Sequence, residues 1–128
     1  WKAVKHSDFR TLDVDSTEQH ESSVSYVLVS ITPEYGGPMW LTGKAKADDG
    51  RFDVLTVHER VTPLSLVKLV SFAMLRRMGR ANSTRFFRTA KVKVQAEEEV
   101  PIQVDGDFAG FLPIEAEVLP NALSYFKR

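Results

Sequence analysis

Carboxylates in two tight turns are the groups in this 128-residue chain best suited to chemistry. Asp105-Gly106-Asp107 follows the apolar run Val100-Pro101-Ile102-Gln103-Val104, and Asp48-Asp49-Gly50 precedes the run Phe52 to Val57. In a turn, residues i and i+2 can aim two carboxylates into one space. Phosphoryl transfer to an alcohol needs such a group to accept the hydroxyl proton, and negative groups to organise magnesium. A carboxylate on a tight turn, flanked by main-chain carbonyls, also makes a small oxygen-lined cage that suits Mg2+ or Ca2+. Each turn is equally ordinary hairpin chemistry, because Gly accepts positive φ and Asp bonds its own backbone.

Arginines form the second group of candidates. Arg76, Arg77, Arg80, Arg85 and Arg88 concentrate between the end of one predicted helix and the start of the next strand. They can complement a helix C-terminus. Alternatively Arg76, Arg77 and Arg80 form a patch for an anionic membrane surface, at roughly 1 kcal/mol per basic residue. No aromatic platform accompanies them, so nucleic acid is not an expected partner. His20 lies between Glu18 and Glu21, and His58 precedes Glu59, but neither has zinc-ligand spacing to a third group. There is no Gly-x-Ser-x-Gly elbow, so hydrolase chemistry has no support.

Strands must position these groups. Phe9 to Val14 alternates roughly, the polar stretch Asp15 to Ser23 reads as an exposed loop, and Val24 to Ile31 is the strongest strand signal. Phe52 to His58, Phe86 to Ala96, Val100 to Val104, Asp107 to Phe111 and Ile114 to Val118 read as further strands, with Tyr125-Phe126 as a short last one. One helix is expected over about residues 63–78: Thr62 is a good N-cap, Pro63 suits the first helical position, and Gly79 stops it. Leu64, Val67, Val70, Met74 and Met78 recur along it at helical spacing, widened by Leu66, Leu69, Ala73 and Leu75. Many strands around one helix predict a mainly β fold, an antiparallel β-sandwich.

Composition sets the outer bounds. The chain has room for one domain with a real core. Its 17 basic and 17 acidic residues cancel, so no overall field draws a polyanion. The absence of cysteine excludes disulfides and thiolate metal sites. No apolar run approaches the roughly 18 residues of a membrane span, and no signal-peptide pattern opens the chain.

The order of the motifs is more specific than any one of them. Tyr35-Gly36-Gly37, then Asp48-Asp49-Gly50-Arg51-Phe52-Asp53-Val54, a helix, two strands, Val104-Asp105-Gly106-Asp107 and Leu119-Pro120-Asn121-Ala122-Leu123 follow one another. Over about residues 24–128 the chain resembles the C-terminal domain of the diacylglycerol kinase, sphingosine kinase and YegS-like lipid kinase family. That family's Gly-Gly-Asp-Gly-Thr nucleotide loop, carried by an N-terminal domain, is nowhere in these residues. The resemblance implies half an enzyme, residues 1–128 forming a C-terminal sandwich incomplete at its N-terminal side. A start at Trp1 suits such a fragment.

The resemblance further implies that Asp107 is the general base and Asp105 its partner in the phosphate and metal network. This chain has Asp107 where the family usually carries Glu, one methylene longer, and a misplacement of about 1 Å can cost on the order of 10²-fold in rate. A structural Mg2+ would use the Asp49 side chain and the main-chain oxygens of Lys46 and Arg51. The expected activity is ATP-dependent phosphorylation of a lipid hydroxyl, of diacylglycerol or sphingoid-base type, in the cytoplasm or peripherally at its membrane. ATP would be bound mainly by the missing domain, and a lipid pocket would be walled by Trp40, Leu66, Val70 and Met74. The competing class is a non-enzymatic sandwich that binds a lipid, a carbohydrate or a protein through its loops. A Gly-Gly-Asp-Gly-Thr loop encoded upstream would decide for the kinase.

Overall fold

A computed structural model of the chain describes residues 11–32, 34–35, 39–40, 49–60, 62–75 and 82–120, with the backbone alone at 34–35, 39–40 and 66. The elements run β1 (Leu12–Ser16), β2 (His20–Val24), β3 (Tyr26–Ser30), β4 (Glu34–Tyr35), β5 (Met39–Trp40), β6 (Phe52–Val57) and α1 (Pro63–Met74). They continue with β7 (Thr84–Thr89), β8 (Lys91–Ala96), β9 (Pro101–Val104), β10 (Asp107–Phe111) and β11 (Ile114–Glu117). One sheet has the order β11-β8-β1-β2 and a second the order β3-β6-β7, while β9 with β10 and β4 with β5 form separate pairs. All of these pairings are antiparallel.

The two larger sheets pack face to face as an antiparallel β-sandwich. Buried Leu12, Val14, Val24, Val92 and Val94 of the first sheet meet Val27, Val29, Phe52 and Phe87 of the second. α1 covers the outer side of the second sheet, where Leu69, Phe72 and Ala73 pack on Leu28 and Leu55. Strand β6 is therefore enclosed on both faces, and Val54, Leu55, Thr56 and Val57 are all buried. That double cover explains its nearly continuous apolar run.

Three segments depart from the expectation drawn from the sequence, one being 24–31, where Val24 closes β2 in the first sheet and β3 begins at Tyr26 in the second. The stretch 15–23 is not a loop. Ser16 turns the chain, its Oγ donating to the Gln19 carbonyl at 2.9 Å and accepting from the Gln19 N–H at 3.0 Å, and β2 returns along β1. A bulge at Ser22-Ser23, with Ser23 at φ 58°, turns both Glu21 and Val24 inward and breaks the alternation that would have marked a strand. Likewise 86–96 is two strands. β7 belongs to the second sheet and β8 to the first, and the chain crosses between them at Ala90.

The start of α1 agrees with the sequence. The Thr62 side chain accepts from the Ser65 N–H at 3.1 Å, while Ser65 Oγ accepts from the Thr62 N–H at 2.7 Å. Its end comes early. The helix closes at Leu75, whose N–H reaches the Ser71 carbonyl at 3.0 Å, and Met78 and Gly79 lie outside the described residues. Tyr125-Phe126 and the first ten residues lie outside them too.

Candidate functional site

Asp105 and Gly106 are the two central residues of the turn joining β9 to β10, at φ 51° and 97°. Positive φ at both positions is the geometry of a type I′ hairpin, which Asp-Gly favours. The Gln103 side chain braces the turn by donating to the Gly106 carbonyl at 3.1 Å. Asp107 opens β10 directly across the ladder from Val104, and both carboxylates are exposed. The turn therefore presents two acids at the end of a two-stranded hairpin, while Phe108 and Phe111 meet edge to face at 5.3 Å along the same strand.

Beside this hairpin the sandwich opens into a cleft of about 890 Å³. Val27 and Val29 of β3, Val92 and Val94 of β8, Ile102 of β9 and Ile114 of β11 line it. Asp105, Gly106 and Phe108 also contribute to its lining, so the turn reaches the cleft through Asp105, while Asp107 is not among the described lining residues. Among the described lining residues Asp105 is the only charged one.

The turn at Asp49 is arranged differently. Asp49 Oδ1 accepts the Arg51 N–H at 3.1 Å, and its Oδ2 is paired with the Arg88 guanidinium. Arg88 Nε also donates to Oδ1 of buried Asp53 at 2.8 Å, Arg88 and Asp53 being direct partners across β6 and β7. The hydrogen bonds that Arg88 donates, first to Asp49 and then to Asp53, hold its guanidinium above its ordinary pKa. Arg51 itself reaches Glu18 at 3.2 Å. Both Asp49 oxygens thus have partners, one of them cationic, and among the described residues no three acids or histidines gather around a point. These residues do not fit a divalent ion as they stand. Lys46, the other expected ligand, lies outside the described residues, as does Asp48.

Of the expected pocket wall, Val70 and Met74 are exposed on the outer side of α1 and do not line the cleft, while the side chains of Trp40 and Leu66 lie outside the described residues. Arg76, Arg77 and Arg80 lie outside the described residues.

The family described as the YegS C-terminal NAD kinase beta sandwich-like domain matches residues 3–127. The chain belongs to this family. None of the curated proteins matches it at a significant level. Among solved structures, a protein named "putative diacylglycerol kinase" from Bacillus anthracis str. Sterne superposes with a TM-score of 0.71 at 21% identity, covering 91% of this chain and 40% of that one. A structure named as a diacylglycerol kinase from the same organism gives 0.70 at 20% identity, covering 91% and 40%. The likeness is one of fold, and the chain spans about 40% of the length of these proteins.

Within this YegS C-terminal domain, two features escaped the reading of the sequence. The cleft is built from inward positions of β3, β8 and β11 together with β9, which are distant in sequence; only their alternation was visible. The second feature is a polar cluster between the sheets. Buried Glu21 Oε2 accepts from Thr56 Oγ1 at 2.5 Å and lies 3.1 Å from His58 Nε2, while its Oε1 accepts from Gln19 Nε2 at 3.1 Å. Arg85 approaches the same carboxylate at 4.0 Å. Glu21 thereby pins β2 of one sheet to β6 of the other.

Proposed function

We propose that this YegS C-terminal domain is the lipid-binding half of an ATP-dependent lipid kinase acting on a free lipid hydroxyl, of diacylglycerol or sphingoid-base type. The observation that carries the reading is the apolar cleft with a two-carboxylate turn at its edge. A cleft of this volume and apolar lining suits acyl chains. Among the described lining residues the one charged group is acidic, which favours a neutral or cationic lipid over one already bearing phosphate.

In this reading the lipid lies with its chains between the sheets and its hydroxyl at the hairpin turn. The hydroxyl oxygen attacks the γ-phosphorus of ATP, ADP departs, and the hydroxyl proton passes to Asp107, with Asp105 supporting the phosphate network. ATP would be held by a nucleotide-binding half outside these residues, and magnesium bound with the nucleotide would supply charge neutralisation at the transferred group.

The test uses the polypeptide joined to its nucleotide-binding half. Asp107→Asn removes the proton acceptor but keeps the shape, so kcat should fall by about 10²-fold or more while the lipid KM changes little. Turnover near that of the unaltered protein removes Asp107 from the mechanism. Retained lipid binding with no transfer by the unaltered protein leaves the binding-module reading.

A further inference from the structure

We propose that Gln103 is a positioning residue for the proposed base, holding in one orientation the peptide group that carries Asp107. Its catalytic meaning rests on the kinase reading above; the hydrogen bond behind it does not. Gln103 Nε2 donates to the Gly106 carbonyl at 3.1 Å. A carbonyl oxygen only accepts, so the side-chain amide must turn its nitrogen, not its oxygen, to the turn. That carbonyl shares one planar peptide unit with the Asp107 N–H, because the C–N bond between residues 106 and 107 does not rotate freely. A bond that fixes the carbonyl therefore fixes the plane from which the Asp107 side chain departs.

The turn has little else to orient it. Gly106 stands at φ 97°, and the freedom of glycine is what would let the following peptide swing. The hairpin of β9 and β10 belongs to neither larger sheet, and two strands alone have little independent stability. Both turn carboxylates are exposed. Among the described residues Gln103 supplies the one side-chain hydrogen bond to residues 105–107. It can reach the turn because the ladder sets it opposite Phe108, one pair in from the Val104–Asp107 pair at the end of the hairpin. Gln103 is itself exposed, so core packing does not account for a long amide at this position. It also borders the cleft together with Asp105 and Phe108, so one short hairpin carries the brace, the acids and part of the substrate wall.

The test uses the chain joined to its nucleotide-binding half. Gln103→Leu keeps the bulk and removes the donor, so kcat should fall about tenfold while the lipid KM changes little. Gln103→Lys, which still offers an N–H of similar reach, should recover much of the lost turnover. Added to Asp107→Asn, the Leu substitution should cost nothing more, because a residue that acts through Asp107 has then nothing left to position. The melting temperature should stay unchanged, since the side chain is exposed. In the isolated 128-residue chain, Gln103→Leu should lower the NMR backbone order parameters of Gly106 and Asp107 and leave those of β6 as they were. Full turnover by Gln103→Leu, with Asp107→Asn disabled, overturns the proposal and leaves the kinase reading standing. Losses that add in the double variant overturn it as well, and so do unchanged order parameters at the turn. Full turnover by Asp107→Asn instead overturns the kinase reading, and the positioning role falls with it.

Discussion

Arg88 shows what a residue acquires only from the fold. Asp49 was legible as a turn acid from its neighbour Gly50, but nothing local identified its partner, which lies 39 positions along the chain. The partner is fixed by the register that sets Arg88 opposite Asp53 across β6 and β7. Asp105 and Asp107 lie at the other extreme. Asp-Gly prefers a two-residue turn, and the turn is there with positive φ at Asp105 and Gly106. The pairing at Asp49 makes a prediction of its own. With Arg88 holding both acids, millimolar Mg2+ should not raise the melting temperature of the unaltered chain. Arg88→Ala should lower it by several degrees, because buried Asp53 loses its cationic partner. Added Mg2+ should then recover part of the loss by binding the folded state. Thermal melts of both proteins with and without Mg2+ check this, and a Mg2+ shift in the unaltered chain that Asp49→Asn abolishes would restore the ion to this turn.

Among the elements, α1 was readable at its start because capping is local: Thr62, Pro63 and Ser65 are neighbours in sequence as well as in space. Which stripe of α1 packs inward was not readable, since apolar residues surround the helix and only the outer face of the second sheet decides between them. Strand β2 was hidden for a related reason. Its inward Glu21 is polar because Thr56 and His58 meet it from the other sheet, and the bulge at Ser23 shifts the period. The division of 86–96 at Ala90 was hidden because no Gly or Pro breaks the run there and only sheet membership separates the two halves. At this scale the testable element is the cap. Thr62→Ala removes the acceptor for the Ser65 N–H and should cost about 1 kcal/mol. Hydrogen exchange should quicken first at the N-terminal turn of α1, and an unchanged melting curve with unchanged exchange there would show that packing alone holds the helix.

For the whole molecule, the sandwich class followed from many short strands and a single helix, but the cleft did not, because it exists only where two sheets and a separate hairpin meet. Its described lining residues all come from this chain, so lipid binding should not require the nucleotide-binding half. Transfer should require it. These 128 residues contain no glycine-rich loop leading into a helix N-terminus, the arrangement that cradles phosphates, and the only Gly-Gly pair, Gly36-Gly37, is followed by proline. The isolated chain should therefore bind a fluorescent diacylglycerol analogue and yet transfer no phosphate to diacylglycerol from radiolabelled ATP and Mg2+. Val29→Trp, which fills the cleft from β3, should weaken analogue binding by about tenfold with little change in melting, since Val29 is only partly buried. Phosphate transfer by the isolated chain would overturn the division of labour between two halves. Analogue binding indifferent to Val29→Trp would move the lipid out of the cleft and away from the acidic turn, and would remove the support for the proposed role of that turn.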